Sequence, residues 1–159
     1  MKKWGVIIIL AFAQFVMVLD STVMNVSMST VAKDLGTTIT GMQAAITFYT
    51  LTMAALMLTG AKLGDIWGRI NAFRIGAVVY GIGSLITGLA GSLGVLMFGW
   101  SLVEGLGAVL VIPAIASLAA INYKGKDRVV AFSIIGAVSG LAAAAGPLIG
   151  GYVTTYLSW

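Results

Sequence analysis

Five long apolar runs constrain this sequence more than any other feature. They fall near Trp4–Val31, Met42–Leu63, Ala72–Ala90, Leu93–Ile121 and Val129–Tyr156. A helix that crosses a bilayer needs about 20 mainly apolar residues, and lipid admits only spans whose backbone polar groups are satisfied internally. The runs therefore predict an all-α membrane protein with five transmembrane helices. Charged residues make up 9% of the chain, against roughly a quarter in soluble domains, so a soluble fold is excluded. The first run follows Met1-Lys2-Lys3 as a signal peptide would. It continues past the length of an h-region and lacks a small-x-small cleavage site, so it is read as a retained span.

The chain has no cysteine and no histidine. Disulfides, thiolate or imidazole metal sites and histidine acid–base chemistry are thereby excluded. No nucleophile–base pair or phosphate-binding loop is present either, so neither an enzyme nor a metal or cofactor site is expected. The net charge of +4 is carried in short gaps between apolar runs, which indicates membrane orientation rather than nucleic-acid binding. Lys2, Lys3, Lys62, Arg69, Arg74, Lys124, Lys126 and Arg128 fall on one side of the predicted topology, leaving only Lys33, beside Asp34, on the other. The positive-inside rule places that basic side, and the N-terminus, in the cytoplasm.

Two acids stand inside apolar runs, Asp20 in the first and Glu104 in the fourth. An ionisable group at membrane depth costs about 2.5–3.5 kcal/mol on insertion scales, and is a functional candidate for that reason. Loss of water disfavours the charged form of a carboxyl group, which suits a carrier that takes up and releases a proton. The plainer alternative is a neutral acid hydrogen-bonded to a neighbouring helix. The first run also carries Gln14, Ser21, Asn25 and Ser29 on one helical stripe. Asp20 sits off that stripe, nearer Met24 and Ser27, so this helix is polar on two faces. Such a helix suits the wall of a wet cavity better than contact with lipid, although the pattern leaves open which face meets the cavity.

Between the second and third runs, Leu63-Gly64-Asp65-Ile66-Trp67-Gly68-Arg69 forms a short polar break, with Lys62 before it and Arg74 after. Asp65 and Arg69 are four apart and can pair in a solvated turn, an interaction of a few tenths of a kcal/mol. The functional alternative is a latch, with Asp65 capping a helix end or holding a basic residue. Gly64 and Gly68 would supply turn geometry that residues with a Cβ resist. In the fifth run, Gly136, Gly140 and Ala144 form one ladder of small residues, and Ala142, Gly146 and Gly150 a second. Small residues at this spacing let helix backbones approach closely. Pro113 and Pro147 both fall inside predicted helices, where each removes a backbone hydrogen bond and favours a kink.

Four of these stretches together resemble the N-terminal part of a major facilitator superfamily transporter, in its drug:proton antiporter branch of fourteen-helix multidrug exporters. Leu63–Arg69 is similar to the signature loop between helices two and three. Leu19-Asp20-Ser21-Thr22-Val23-Met24-Asn25-Val26 resembles the first-helix motif of those exporters. Glu104-Gly105-Leu106-Gly107-Ala108, followed by Pro113-Ala114, resembles the fourth-helix motif. Gly146-Pro147-Leu148-Ile149-Gly150-Gly151 resembles the fifth-helix antiporter motif. The chain departs from these patterns at several positions. Ala61 replaces a glycine and Ile66 and Ile70 replace basic residues of the loop, Ser101 stands at the usual arginine, Glu104 at the usual glutamine, and Ala142 at a frequent glycine.

The resemblance implies an incomplete N-terminal half of that fold, a fragment that would work only with the remaining transporter helices. It implies proton-coupled efflux of drugs or small amphiphilic compounds by alternating access across the cytoplasmic membrane. Asp20 and Glu104 would be the proton-coupling residues, Asp20 as the principal site and Glu104, on the helix that inverted repeats relate to the first, taking over some of the role of the arginine that Ser101 replaces. Gln14, Asn25 and Ser101 would face the cavity or substrate. Asp65, Gly68 and Arg69 would form the conformational-switch loop, and Gly146, Pro147, Gly150 and Gly151 the antiporter motif. The rival readings are a metabolite facilitator or symporter of the same superfamily, and a non-transporting membrane scaffold.

Overall fold

Each apolar run must satisfy its own backbone hydrogen bonds in lipid, and each does so as a helix. The computed structural model describes residues 4–157. It contains α1 (Gly5–Asp34), α2 (Ile39–Trp67), α3 (Arg69–Gly88), α4 (Leu93–Asn122) and α5 (Gly125–Tyr156), all long and apolar enough to cross a membrane. At 20 residues, α3 matches a hydrocarbon core about 30 Å thick at about 1.5 Å per residue. The other four, of 29 to 32 residues, exceed that thickness and must tilt or project from it. The basic pair Lys2 and Lys3 lies outside the described residues.

Three of the four helix junctions are shorter than the gaps between the apolar runs, whereas α3 ends at Gly88 and α4 begins at Leu93, a longer junction than the two residues the runs leave there. α2 continues through Trp67 and α3 begins at Arg69, so the expected seven-residue break reduces to Gly68 alone. Gly68 has φ +86° and ψ 136°, a conformation closed to residues with a Cβ. Gly64, expected in the turn, is instead a buried residue of α2. Thr38 caps α2 by accepting the Gly41 N–H at 3.0 Å, and Ser92 caps α4 by accepting that of Val95 at 3.4 Å; each satisfies an orphan donor of a helix start. Pro113 and Pro147 sit within continuous α4 and α5.

The chain packs as two units, one of Ser27–Ala114 and the other of the residues before Ser27 and from Ile115 onward. In the Ser27–Ala114 unit, α2, α3 and the first part of α4 share a core in which the Trp100 ring stacks on Tyr49, with centroids 4.7 Å apart and planes 9° from parallel. α4 is the most enclosed helix of the chain. In its most apolar window 61% of residues are buried, against 17–28% in the others.

Residues Met97–Glu104 of α4 wind as a π-helix, and the α3 contact explains why. A Cβ on Gly99 would come 2.9 Å from the Thr87 nitrogen, and one on Gly107 would come 2.6 Å from the Tyr80 nitrogen. Both glycines therefore press against the α3 backbone. In a regular α-helix, residues eight apart lie about 80° out of register. The wider π turn takes up the extra residue and keeps both glycines on the α3 face.

In the other unit, Trp4 stacks on Tyr123 with centroids 5.5 Å apart, and the Tyr123 hydroxyl accepts the Ile7 N–H at 3.0 Å. Arg128 donates to the carbonyls of Tyr123 at 3.0 Å and Ala120 at 2.8 Å, which satisfies acceptors left over at the end of α4. α1 and α5 meet where Gly146 faces Thr22 so closely that a Cβ on Gly146 would overlap the threonine side chain.

Candidate functional site

Three polar residues of α1, Ser21, Thr22 and Asn25, are turned back on their own helix. The Ser21 hydroxyl donates to the Met17 carbonyl at 3.2 Å, Thr22 to that of Val18 at 2.9 Å, and the Asn25 amide to that of Ser21 at 2.7 Å. Such back-bonding satisfies a side-chain donor inside an apolar helix. Asn25 is exposed, whereas Gln14 and Asp20 are half-buried. Met24 and Ser27 are buried, so the face of Asp20 passes from open to closed along the helix.

Glu104 has a different setting. It is fully buried at the end of the π segment, where a Cβ on Gly83 would come 2.6 Å from its backbone nitrogen. The Ser84 hydroxyl on α3 donates to its Oε1. Thr87, one turn along α3, donates to the Gly83 carbonyl at 2.8 Å. Ser101, also fully buried, donates its hydroxyl to the Ala45 carbonyl of α2 at 2.8 Å. Ser101 therefore sits in helix packing with its proton committed. Asp20 and Glu104 belong to different units.

The short junction carries an ion pair between Arg69 Nη2 and Asp65 Oδ1, with both side chains partly exposed. The pair spans the Gly68 break, so one charge lies on the last turn of α2 and the other on the first of α3. In α5 the two ladders of small residues separate. Ala142, Gly146 and Gly150 are buried, whereas nothing lies within 4 Å of a Cβ on Gly136 or Gly140. Gly151 likewise faces open space, and Pro147 is exposed beside the buried Gly146.

Three features are not anticipated from sequence: the π segment, the Ser84–Glu104 bond, and the Trp4–Tyr123–Ile7 cluster. Ser84 could have been noticed as a hydroxyl within an apolar span, where such side chains bond across helices. The π segment leaves a weaker trace, two glycines eight residues apart on one helix.

The sequence profile of the Major Facilitator Superfamily matches residues 10–159. The chain is 40% identical to the puromycin resistance protein of Streptomyces alboniger over 99% of its length and 31% of that protein. It is 34% identical to a probable actinorhodin transporter of Streptomyces coelicolor, over 96% of the chain and 26% of the relative. It is 28% identical to the riboflavin transporter RibZ of Clostridioides difficile, over 99% of the chain and 34% of the relative. The chain thus spans about a third or less of the length of these relatives. Five apolar helices, glycine-lined contacts between them and this match across nearly the whole chain agree, and the chain belongs to the Major Facilitator Superfamily.

Proposed function

We propose that the chain forms part of a proton-coupled exporter of small amphiphilic compounds. The observation that carries this reading is Asp20, a half-buried acid within an apolar span on a helix with polar residues on two faces. A carboxyl group so placed is expensive to keep unless it is used. In this reading its open side takes a proton from water, and its place within a span lets it serve both sides of a membrane in turn. Relatives named for puromycin resistance and for actinorhodin transport support an outward direction and amphiphilic cargo. The basic residues Lys62, Arg69, Arg74, Lys124, Lys126 and Arg128 support a cytoplasmic N-terminus in a cell membrane.

In this reading Asp20 is the principal proton site and Glu104 a second coupling acid acting through the α3–α4 contact. Protonation of Asp20 from outside and binding of cargo from inside are alternatives that drive the transporter in opposite directions. Gln14 and Asn25 contribute polar contacts to the cargo path, and the Asp65–Arg69 pair steadies the junction as the helices move. The buried face of Ala142, Gly146 and Gly150 gives α5 its sliding surface.

The test is reconstitution of the full-length gene product in vesicles containing a pH-sensitive dye. Puromycin added on the cargo side should move protons in the opposite direction, and an imposed proton gradient should drive puromycin uphill. Flux of puromycin that leaves the dye unchanged would overturn proton coupling. The riboflavin transporter among the relatives favours one second reading, a metabolite carrier. Transport of riboflavin with no transport of puromycin would establish it in place of the exporter.

A further inference from the structure

We propose that Ser84 is a positioning residue for Glu104, and that the π segment of α4 is the element that presents this acid to it. The inference rests on the proton-coupled reading above and adds to it a partner for the second acid.

Two independent observations lead there. The first is the contact itself. Ser84 donates its hydroxyl to Glu104 Oε1 across the α3–α4 interface, and Glu104 is fully buried. The second is the backbone. π turns are rare, and where they occur inside α-helices they frequently mark functional positions. Here the π turn spans Met97–Glu104 and ends on the acid. In a regular α-helix Gly107 would lie about 80° and Glu104 about 140° around the axis from Gly99, and the acid and the flanking glycines could not share the α3 face.

A packing role alone would not call for a carboxyl group. An apolar side chain of similar size generally packs at least as stably as a buried charged one, and the hydroxyl of Ser84 could return to its own helix, as that of Thr87 does to Gly83. Glu104 is also the sole carboxylic acid in α4. On the two helices packed against it, Tyr49 of α2 and Tyr80 of α3 are the titratable side chains of the apolar stretches. The charges of those helices, Lys62, Asp65, Arg69 and Arg74, all lie between residues 62 and 74. Arg74 is ten residues from Ser84, about 15 Å along α3. A proton arriving on or leaving Glu104 therefore changes the charge of the α3–α4 contact, far along α2 and α3 from their charged residues. Ser84 holds the acid at the one point where that change is felt by both helices.

The experiment compares Ser84→Ala, Ser84→Thr and Glu104→Gln with wild type in the full-length transporter. Infrared difference spectra across a pH titration report the carbonyl stretch of a protonated carboxylic acid, and the band lost in Glu104→Gln is that of Glu104. In Ser84→Ala this band should shift to higher frequency through loss of its donor, and proton-driven efflux should fall by about tenfold, the order expected when a hydrogen bond to an acid is removed. Ser84→Thr keeps the hydroxyl and should restore both. Ser84 is exposed on its outer side, so neither substitution forces a change in packing. An unmoved Glu104 band in Ser84→Ala, or no Glu104 band at any pH, would overturn the proposal. The spectra need no transport, so a transporter that binds substrate without moving protons would overturn the coupling reading separately, through the vesicle assay.

Discussion

The surroundings of Glu104 and of Asp20 differ in how tightly they are closed. Around Glu104, α3 and α4 meet backbone to backbone through Gly76, Gly83, Gly99 and Gly107, and the carboxyl group is wholly enclosed. Asp20 lies half-open on a helix whose neighbouring Ser21, Thr22 and Asn25 back-bond to their own turns. A closed acid changes charge only if the contact around it loosens, and in the proposed cycle its proton would be tied to helix movement. An open acid exchanges protons readily and needs the rest of the transporter to decide which side it faces. In the proposed exporter the two carboxyl groups would serve one cycle in different ways, Asp20 as the site that meets water and Glu104 as a sensor of packing.

The two acids should separate most clearly when Asp20 is changed. Asp20→Asn should lower uphill efflux at least tenfold with normal membrane insertion, measured as dye extrusion by energised cells beside a quantitative membrane blot. Equal loss in Glu104→Gln would erase the distinction between the two acids, while a partial loss would sharpen it. Next in size is the α3–α4 contact. Gly107→Val meets the Tyr80 backbone, which cannot give way as a flexible side chain would, and should destabilise the transporter by about 3 kcal/mol, the upper end for overpacking. Thermal unfolding in detergent measures it, and the same change at Gly136, which faces open space, should cost far less. Gly68→Ala should cost about 1–2 kcal/mol, because its positive φ disfavours any Cβ, and protease sensitivity at the α2–α3 junction reports it. The smallest effect is Asp65→Asn, a few tenths of a kcal/mol in stability for a partly exposed i,i+4 pair.

Much of this architecture was legible because membrane helices announce themselves by length and composition. The second small-residue ladder, Ala142, Gly146 and Gly150, was legible as a packing surface, although spacing alone did not separate it from Gly136 and Gly140, which face open space. That choice depends on which neighbour arrives, and the arrival of Thr22 at Gly146 is a long-range event. The π segment was hidden for a related reason. Whether Gly99 and Gly107 must share one face is decided by the arrival of α3 against both, so a one-residue slip leaves no mark in the sequence alone. Ser84 was hidden because it stands on the outer side of α3 and reaches Glu104 only once α4 is in register. The polar break at Leu63–Arg69 read as a loop because charge and glycine are loop signals, yet the backbone needs only Gly68 to turn.

The most direct test is substrate-driven proton movement in vesicles holding wild type, Asp20→Asn or Glu104→Gln, with exchange of labelled for unlabelled puromycin measured in parallel. The account predicts that Asp20→Asn abolishes proton movement while exchange persists, since cargo can still cross on a carrier that no longer trades protons. Full proton movement in the Asp20→Asn vesicles would contradict it.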